Sequence, residues 1–283
     1  MEKSDDLLKK NSLETIFPLD IGRFLICPKR KLYGLAIKTV GVTPIRDAII
    51  KIIEKGIKIL YLSYSMPRKV GQLVTAIFFL DFTALKVNLD DLISDIKDID
   101  LIVEFKPIKP KVVGFLIDNI SFPIIVGENR AVLFRDIILK GFFVNLKKKM
   151  GVAANVLLYY LGFEAGISFA KSFDDIAKRL GINDKLQFLK DVGVDLFKCL
   201  GYGVIKIIRL ERNPPYVMVR VYNNFECELC IDECTSKEPC SHFVRGMIAG
   251  ALTELMGVQM LAKEIACIAK GDPYCEFEVI PER

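Results

Sequence analysis

The 283-residue sequence contains no tryptophan and a single histidine, His242. It also lacks a phosphate-binding P-loop and a G-x-S-x-G nucleophile motif. The glycine pair at Gly201 and Gly203 has no third glycine and precedes a strand pattern, which argues against dinucleotide binding. Without a catalytic constellation, the sequence favours a binding protein over an enzyme.

Long apolar runs are scarce as well. The most apolar stretches, residues 76–82 and 152–161, fall short of the ~20 residues that a membrane-spanning helix needs. Residues 1–11 are charged and lack the apolar centre of a signal peptide. The net charge of +5 is spread along the chain, and no direct nucleic-acid motif is found. We therefore predict a cytoplasmic protein with no membrane span.

The N-terminal part alternates between strand and helix patterns. Residues 32–40 are β-branched and apolar, and Thr43-Pro44 predicts a helix with Thr43 as its N-cap. Further patterns predict strands at 57–63, 73–82 and 101–106, the last continuing into 111–117, and a helix capped by Asn88. The order predicts a ferredoxin-like βαββαβ domain over residues 1–120. It resembles the ACT family, which implies a regulatory or dimerising module; a ferredoxin-like domain without a ligand is the alternative.

Ser121-Phe122-Pro123 is the predicted linker, and the pattern changes after it. Helical patterns cover residues 131–149, 151–170 and 184–200, and strand patterns cover 202–211, 216–226, 258–269 and 274–280, with a helix at 243–256. We predict a second α+β domain over residues 124–283, with helices packed on an antiparallel sheet. The fold class predicted for the whole chain is α+β.

Six of the eight cysteines lie close together: Cys227, Cys230, Cys234, Cys240, Cys267 and Cys275. In a reducing compartment such a concentration favours metal binding over disulfides. A local ligand set, Cys227, Cys230, Cys234 and Cys240, suits zinc or an iron–sulfur cluster. A long-range set, Cys240, Glu264, Cys267 and Cys275, would join the start of a helix to the final hairpin. Buried thiols without metal are the third interpretation.

The last third of the chain resembles a known family. The motifs Phe243-Val-Arg-Gly246, Glu264-Ile-Ala-Cys267 and Gly271-Asp-Pro-Tyr-Cys275-Glu-Phe277 resemble the end of the 4-vinyl reductase domain family, which includes archaeal stand-alone proteins and the phenol-sensing domains of bacterial activators. Gly127-Glu-Asn-Arg130 and residues 151–166 resemble its start. The resemblance implies a structural zinc held by Cys240, Glu264, Cys267 and Cys275, with Cys234 as the alternative first ligand. Cys227, Cys230 and Cys234 then form a candidate second metal site.

The resemblance also implies a hydrophobic pocket between the helices and the sheet. Its candidate lining residues are Phe134, Phe142, Tyr159, Phe163, Phe169 and Phe197, whose spacing is also that of an ordinary helix core. The phenol sensors hold the phenol hydroxyl partly with a histidine and a tryptophan, so the missing tryptophan favours a more apolar ligand. We predict a homodimeric regulator or sensor for a small hydrophobic or aromatic ligand. An iron–sulfur redox protein or enzyme and a lipid-holding scaffold are the alternatives.

Overall fold

The computed structural model describes residues 17–65, 67, 69–231 and 238–282. The chain divides into two compact units, and the division falls between Val132 and Leu133. Every strand pair in both units is antiparallel, and helices accompany both four-stranded sheets. The predicted α+β class is therefore confirmed.

The first unit contains eight strands and two helices among its described residues. They are β1 (Phe24–Ile26), β2 (Leu32–Val40), α1 (Thr43–Glu54), β3 (Lys58–Tyr64), β4 (Leu73–Asp81), α2 (Leu89–Lys97), β5 (Ile102–Ile108), β6 (Phe115–Ile117), β7 (Ile124–Val126) and β8 (Asn129–Ala131). From β2 to β5 the element order is the predicted one, and the sheet order is β3-β4-β2-β5. The remaining strands form two short pairs, β1 with β6 and β7 with β8.

Local sequence signals explain both helices. Pro44 lies in the first turn of α1, and Gly56, with a φ of 72°, follows its end. Asn88 accepts a hydrogen bond from the Asp91 backbone at 2.9 Å, and the Asp91 carboxylate accepts one from the Asn88 N–H, so a capping box starts α2. Thr43, predicted as the N-cap of α1, is instead its first helical residue, because the cap position falls on Val42.

The prediction that strand 101–106 continues into residues 111–117 is wrong. β6 leaves the four-stranded sheet and pairs with β1, with Phe24 opposite Ile117. Gly114 lies at the turn, with a φ of 78°, and a β-carbon built there would be 2.5 Å from the Cys27 carbonyl oxygen. A glycine is needed where the backbone approaches so closely, and it lets the chain reverse before β6.

The second unit places helices before and between the strands of an antiparallel sheet. Its elements are α3 (Asp136–Lys140), a π-helical turn (Gly141–Asn145), α4 (Leu146–Met150), α5 (Val152–Arg179), α6 (Lys185–Phe188), a π-helical turn (Leu189–Gly193), α7 (Val194–Cys199), β9 (Val204–Arg212), β10 (Pro215–Tyr222), α8 (Phe225–Glu228), α9 (His242–Met256), β11 (Met260–Ala266), a 3₁₀ turn (Ile268–Lys270) and β12 (Cys275–Pro281). The sheet order is β11-β12-β10-β9.

The strand predicted at residues 216–226 ends earlier than expected. β10 stops at Tyr222, because Asn223 adopts a positive φ of 49° and Asn224 then caps α8 through a bond from the Glu226 N–H. This turn carries Cys227 and Cys230 away from the strand direction and into the interior, where both are fully buried.

Helices α5 and α9 cross through small residues. A β-carbon built at Gly162, Gly166, Gly246 or Gly250 would lie 2.0–2.1 Å from a carbonyl oxygen of the facing helix. Such backbone contact requires glycine at all four positions. By length and composition alone α5 would also suffice to cross a membrane, with 28% of its most apolar window buried.

Candidate metal centre and apolar cavity

Three segments of the second unit bring five thiols and one carboxylate together. Cys227 and Cys230 come from α8 and the turn after it, Cys240 precedes α9, and Glu264, Cys267 and Cys275 come from the β11–β12 hairpin. All six side chains are buried. The cluster is therefore inaccessible to bulk water in the folded chain.

Cys227 occupies the middle of this group. Its Sγ lies 3.5 Å from the Sγ of Cys240 and 3.6 Å from those of Cys267 and Cys275. Among the described residues, the donor atoms of Cys227, Glu264, Cys267 and Cys275 all lie within 4.8 Å of one another. Sulfurs at ~2.3 Å from a tetrahedral zinc ion would be about 3.8 Å apart. The spacing is that of thiols able to share a metal ion.

The Glu264 carboxylate provides an independent indication of a cation. Its Oε2 accepts a hydrogen bond from the Ser241 N–H at 3.0 Å, but its buried Oε1 has no hydrogen-bond partner among the described residues. Burial, and the Cys267 thiol beside it, raise the pKa of Glu264 to about 9. Buried polar atoms are rarely left without a partner, and a metal ion would satisfy this one. The donor set therefore fits a bound metal.

The thiols share this need for a cation. Hydrogen bonding to Cys240, Cys267 and Cys275, together with burial, raises the pKa of Cys227 well above its ordinary value. Without a positive charge in the cluster, this thiol stays protonated. A metal ion would compensate the thiolate charge and reverse that preference.

A buried ion pair holds the cluster's framework. The fully buried Glu226 carboxylate accepts bonds from the backbone N–H groups of His242 (2.9 Å) and Val244 (3.0 Å) and from Lys147 Nζ (3.2 Å). Lys147 Nζ also donates to the carbonyl oxygen of Cys240 at 2.6 Å. Because both carboxylate oxygens are already bonded, Glu226 anchors the start of α9 and does not act as a metal ligand.

The structure thus brings the four residues of the long-range set, Cys240, Glu264, Cys267 and Cys275, into one cluster. Cys227, which the sequence assigned to a candidate second site, lies in the same cluster. A signal for it exists in the sheet register, since Val221 at the end of β10 lies opposite Cys275. Cys230 is buried and its thiol contacts that of Cys240. Cys234 lies outside the described residues.

An apolar cavity lies between α5, α9 and the sheet. It encloses about 510 Å³ of empty space, counting the part open to solvent. All the described residues that line it are apolar: Phe169, Leu189, Gly193, Val194, Phe197, Ile205, Ile207, Val217, Val219, Met247, Ile248, Ala251 and Leu252. The π-helical turn Leu189–Gly193 forms part of the wall, as π-helical turns often do at functional sites.

Two of the six predicted pocket residues, Phe169 and Phe197, line this cavity. The other four lie elsewhere in the second unit. Tyr159 and Phe163 lie at the α5–α9 crossing, where their carbonyl oxygens face Gly246 and Gly250. Phe134 and Phe142 contact each other, with ring centroids 5.5 Å apart, and are about half exposed.

Comparison with known proteins agrees with the geometry of the second unit. Residues 217–281 match the vinyl-4-reductase domain family, and this range holds all six members of the cluster. The C-terminal region therefore carries a vinyl-4-reductase domain, in agreement with the resemblance seen in its motifs.

Two relatives come from Methanocaldococcus jannaschii. The uncharacterized protein MJ0855 is 34% identical over 124 residues, which are 42% of this chain and 47% of that protein. The uncharacterized protein MJ0745 is 28% identical over 148 residues, 52% of this chain and 66% of that protein. The chain thus spans about half to two thirds of the length of these relatives.

One solved structure shares the fold. The phenol-responsive sensory domain of the transcription activator PoxR, solved with phenol, aligns with a TM-score of 0.51 and 21% identity. The alignment covers 56% of this chain and 80% of that domain. At this identity the likeness concerns the fold alone.

Proposed function

We propose that this protein is a ligand-binding regulator whose vinyl-4-reductase domain holds a small hydrophobic molecule in the apolar cavity. The observation that carries the proposal is the lining itself. The cavity is within the ~300–1,000 Å³ range of ligand sites, and all its described lining side chains are apolar. A buried hydroxyl left without a partner would cost about 1–3 kcal/mol, so alkyl or unsubstituted aromatic groups fit better than phenol.

The test measures ligand binding to the purified full-length chain. Native mass spectrometry identifies co-purified molecules, and calorimetric titration compares naphthalene, decanoic acid and phenol. We expect naphthalene or decanoic acid to bind at least ten times more tightly than phenol. Tighter binding of phenol would contradict the proposal, and a preference for decanoic acid over naphthalene would favour the lipid-holding alternative.

Two neighbouring isoleucines on β9 provide a matched pair of variants. Ile207 lines the cavity, whereas Ile208 points outward and is 44% exposed. Ile207→Phe fills the cavity and should abolish binding, while Ile208→Phe should leave it unchanged. Equal affinity of the two variants would place the ligand elsewhere.

We propose that the cluster holds zinc in a structural role. Protein donors fill the tetrahedral positions, so no site remains open for water or substrate. Thiols only 3.5–3.6 Å apart suit direct bonds to an ion, because an iron–sulfur cluster inserts several irons and sulfides between its cysteines. When bound, zinc would supply a cross-link between α8, α9 and the final hairpin. A colourless, zinc-containing protein is expected; a brown protein absorbing near 400 nm would refute zinc.

We further propose a homodimer formed through the outward side of α5. Val152, Val156, Leu157, Tyr160 and Leu161 are 43–76% exposed and follow one another at helical spacing, opposite the face that packs on α9. Exposed apolar surface of this extent is typical of an interaction site. Tyr160→Glu should convert the dimer to a monomer in light scattering, whereas Ser172→Glu on the same helix should not. Flotation of the wild-type protein with lipid vesicles would instead identify a membrane contact.

For residues 1–120 we propose an ACT-like regulatory role with a ferredoxin-like fold. The sheet order β3-β4-β2-β5 and the two helical crossovers support the fold. A cytoplasmic location remains a prediction. Limited proteolysis with and without amino acids as ligands would test the regulatory role, which predicts ligand-dependent protection of this unit.

A further inference from the structure

The cluster contains more donors than one ion can use. We infer that it binds two divalent, thiol-preferring metal ions, bridged by the thiolates of Cys227 and Cys267. This inference rests on the proposed metal site and extends it. A tetrahedral ion takes four ligands, whereas five thiols and one carboxylate converge here.

The first ion has a complete tetrahedral set. Cys227, Glu264, Cys267 and Cys275 are mutually within 4.8 Å, and the partnerless Oε1 of Glu264 belongs to this set. Cys240 does not complete it, because the four positions are already filled.

The second ion has its own set on the other side of Cys227. The Cys240 Sγ lies 3.5 Å from Cys227 and also contacts the thiols of Cys230 and Cys267. Cys227, Cys230, Cys240 and Cys267 therefore form a connected group of four thiols, all buried or fully buried.

The two sets share one edge, the 3.6 Å Cys227–Cys267 contact. Two tetrahedra that share an edge need six donors, of which two bridge both ions. The cluster provides six donors, and the two residues common to both sets are in contact with each other. Number and adjacency both match a dinuclear, thiolate-bridged centre.

The surrounding charge agrees with this arrangement. Fully ionised, the six donors carry a charge of −6, which two divalent ions reduce to −2. Lys147 reaches the Cys240 carbonyl at 2.6 Å and lies close enough to Cys230 and Cys240 to interact with their charge, so one cation of the protein stands beside the second set. With a single ion, Cys230 and Cys240 would have to remain protonated thiols beside this ammonium group.

The experiment is an anaerobic metal titration of the metal-free full-length chain. Native mass spectrometry should count two zinc ions per chain. With cobalt(II), the sulfur-to-cobalt absorption band should grow up to two equivalents, and the electron paramagnetic resonance signal should weaken as the second equivalent couples to the first through the bridges.

Cys230→Ser, which alters only the second set, should reduce the count to one ion. Cys199→Ser, at an exposed cysteine on α7, should retain two. The wild-type count decides the matter even if Cys230→Ser fails to fold. One ion per chain in the wild type would overturn the inference and leave the proposed single structural site intact. Absence of metal, or an iron–sulfur cluster, would overturn both.

Discussion

The buried pair of Glu226 and Lys147 offers the sharpest test of how the centre is held. Glu226→Gln removes the charge while keeping the shape. It leaves Lys147, whose side chain is 15% exposed, without its counter-charge, and weakens the bonds to the first turn of α9. Breaking a buried ion pair by removing one partner costs about 3–5 kcal/mol. We expect the free energy of unfolding to fall by about 3 kcal/mol, at the lower end of that range, since Lys147 keeps its bond to the Cys240 carbonyl.

The assay is urea unfolding at neutral pH with saturating zinc, followed by circular dichroism. Glu228→Gln is the matched control, because Glu228 lies on the same helical turn, is exposed, and should cost less than about 0.5 kcal/mol. Adding Lys147→Met to Glu226→Gln removes the unpaired charge and should recover part of the loss. A Glu226→Gln effect no larger than the control, or a double variant less stable than the sum of the single changes, would refute this account of the site.

Four further outcomes are expected. Gly246→Ala forces a β-carbon to 2.1 Å from the Tyr159 carbonyl oxygen, so α5 and α9 must separate and stability should fall by about 1–3 kcal/mol or more, measured by urea unfolding. Asn88→Ala removes the cap of α2 and should cost about 1 kcal/mol in the same assay, whereas Asn88→Asp should cost little. The amines of Lys106 and a second lysine lower the pKa of Glu104 to about 2, so its stabilising contribution is complete above its ordinary pKa of 4.5 and is lost as pH falls toward 2. Glu104→Gln should therefore flatten the melting temperature between pH 5 and 2, and an unchanged slope would contradict it. Finally, a strong chelator should lower the melting temperature of the second unit while leaving that of the first unchanged, as calorimetry of the full chain would show.

The sequence by itself determined the elements whose signals are local. The β-branched run of β2, the proline in the first turn of α1 and the Asn88 capping box each act within a few residues, so their positions could be predicted. The proximity of Glu264, Cys267 and Cys275 belongs to the same class. They lie on one hairpin with a short turn, and a hairpin's register depends mainly on that turn.

Only the tertiary structure decided what depends on distant partners. β6 pairs with β1 across more than ninety residues, although its own pattern suited a continuation of β5. The cavity wall includes a π-helical turn, which has no short-range signal, and so two of the six predicted aromatic residues line the cavity.

The metal centre shows the same division most clearly. Cys227 is near Cys275 because β10 lies beside β12 with Val221 opposite Cys275, a pairing that no periodicity in either strand specifies. The residue types indicated that a metal would be bound, because thiols in a reducing environment favour that chemistry. Which of the thiols meet was decided by strand order and by the buried contacts of Glu226, since these join segments that are remote in the chain.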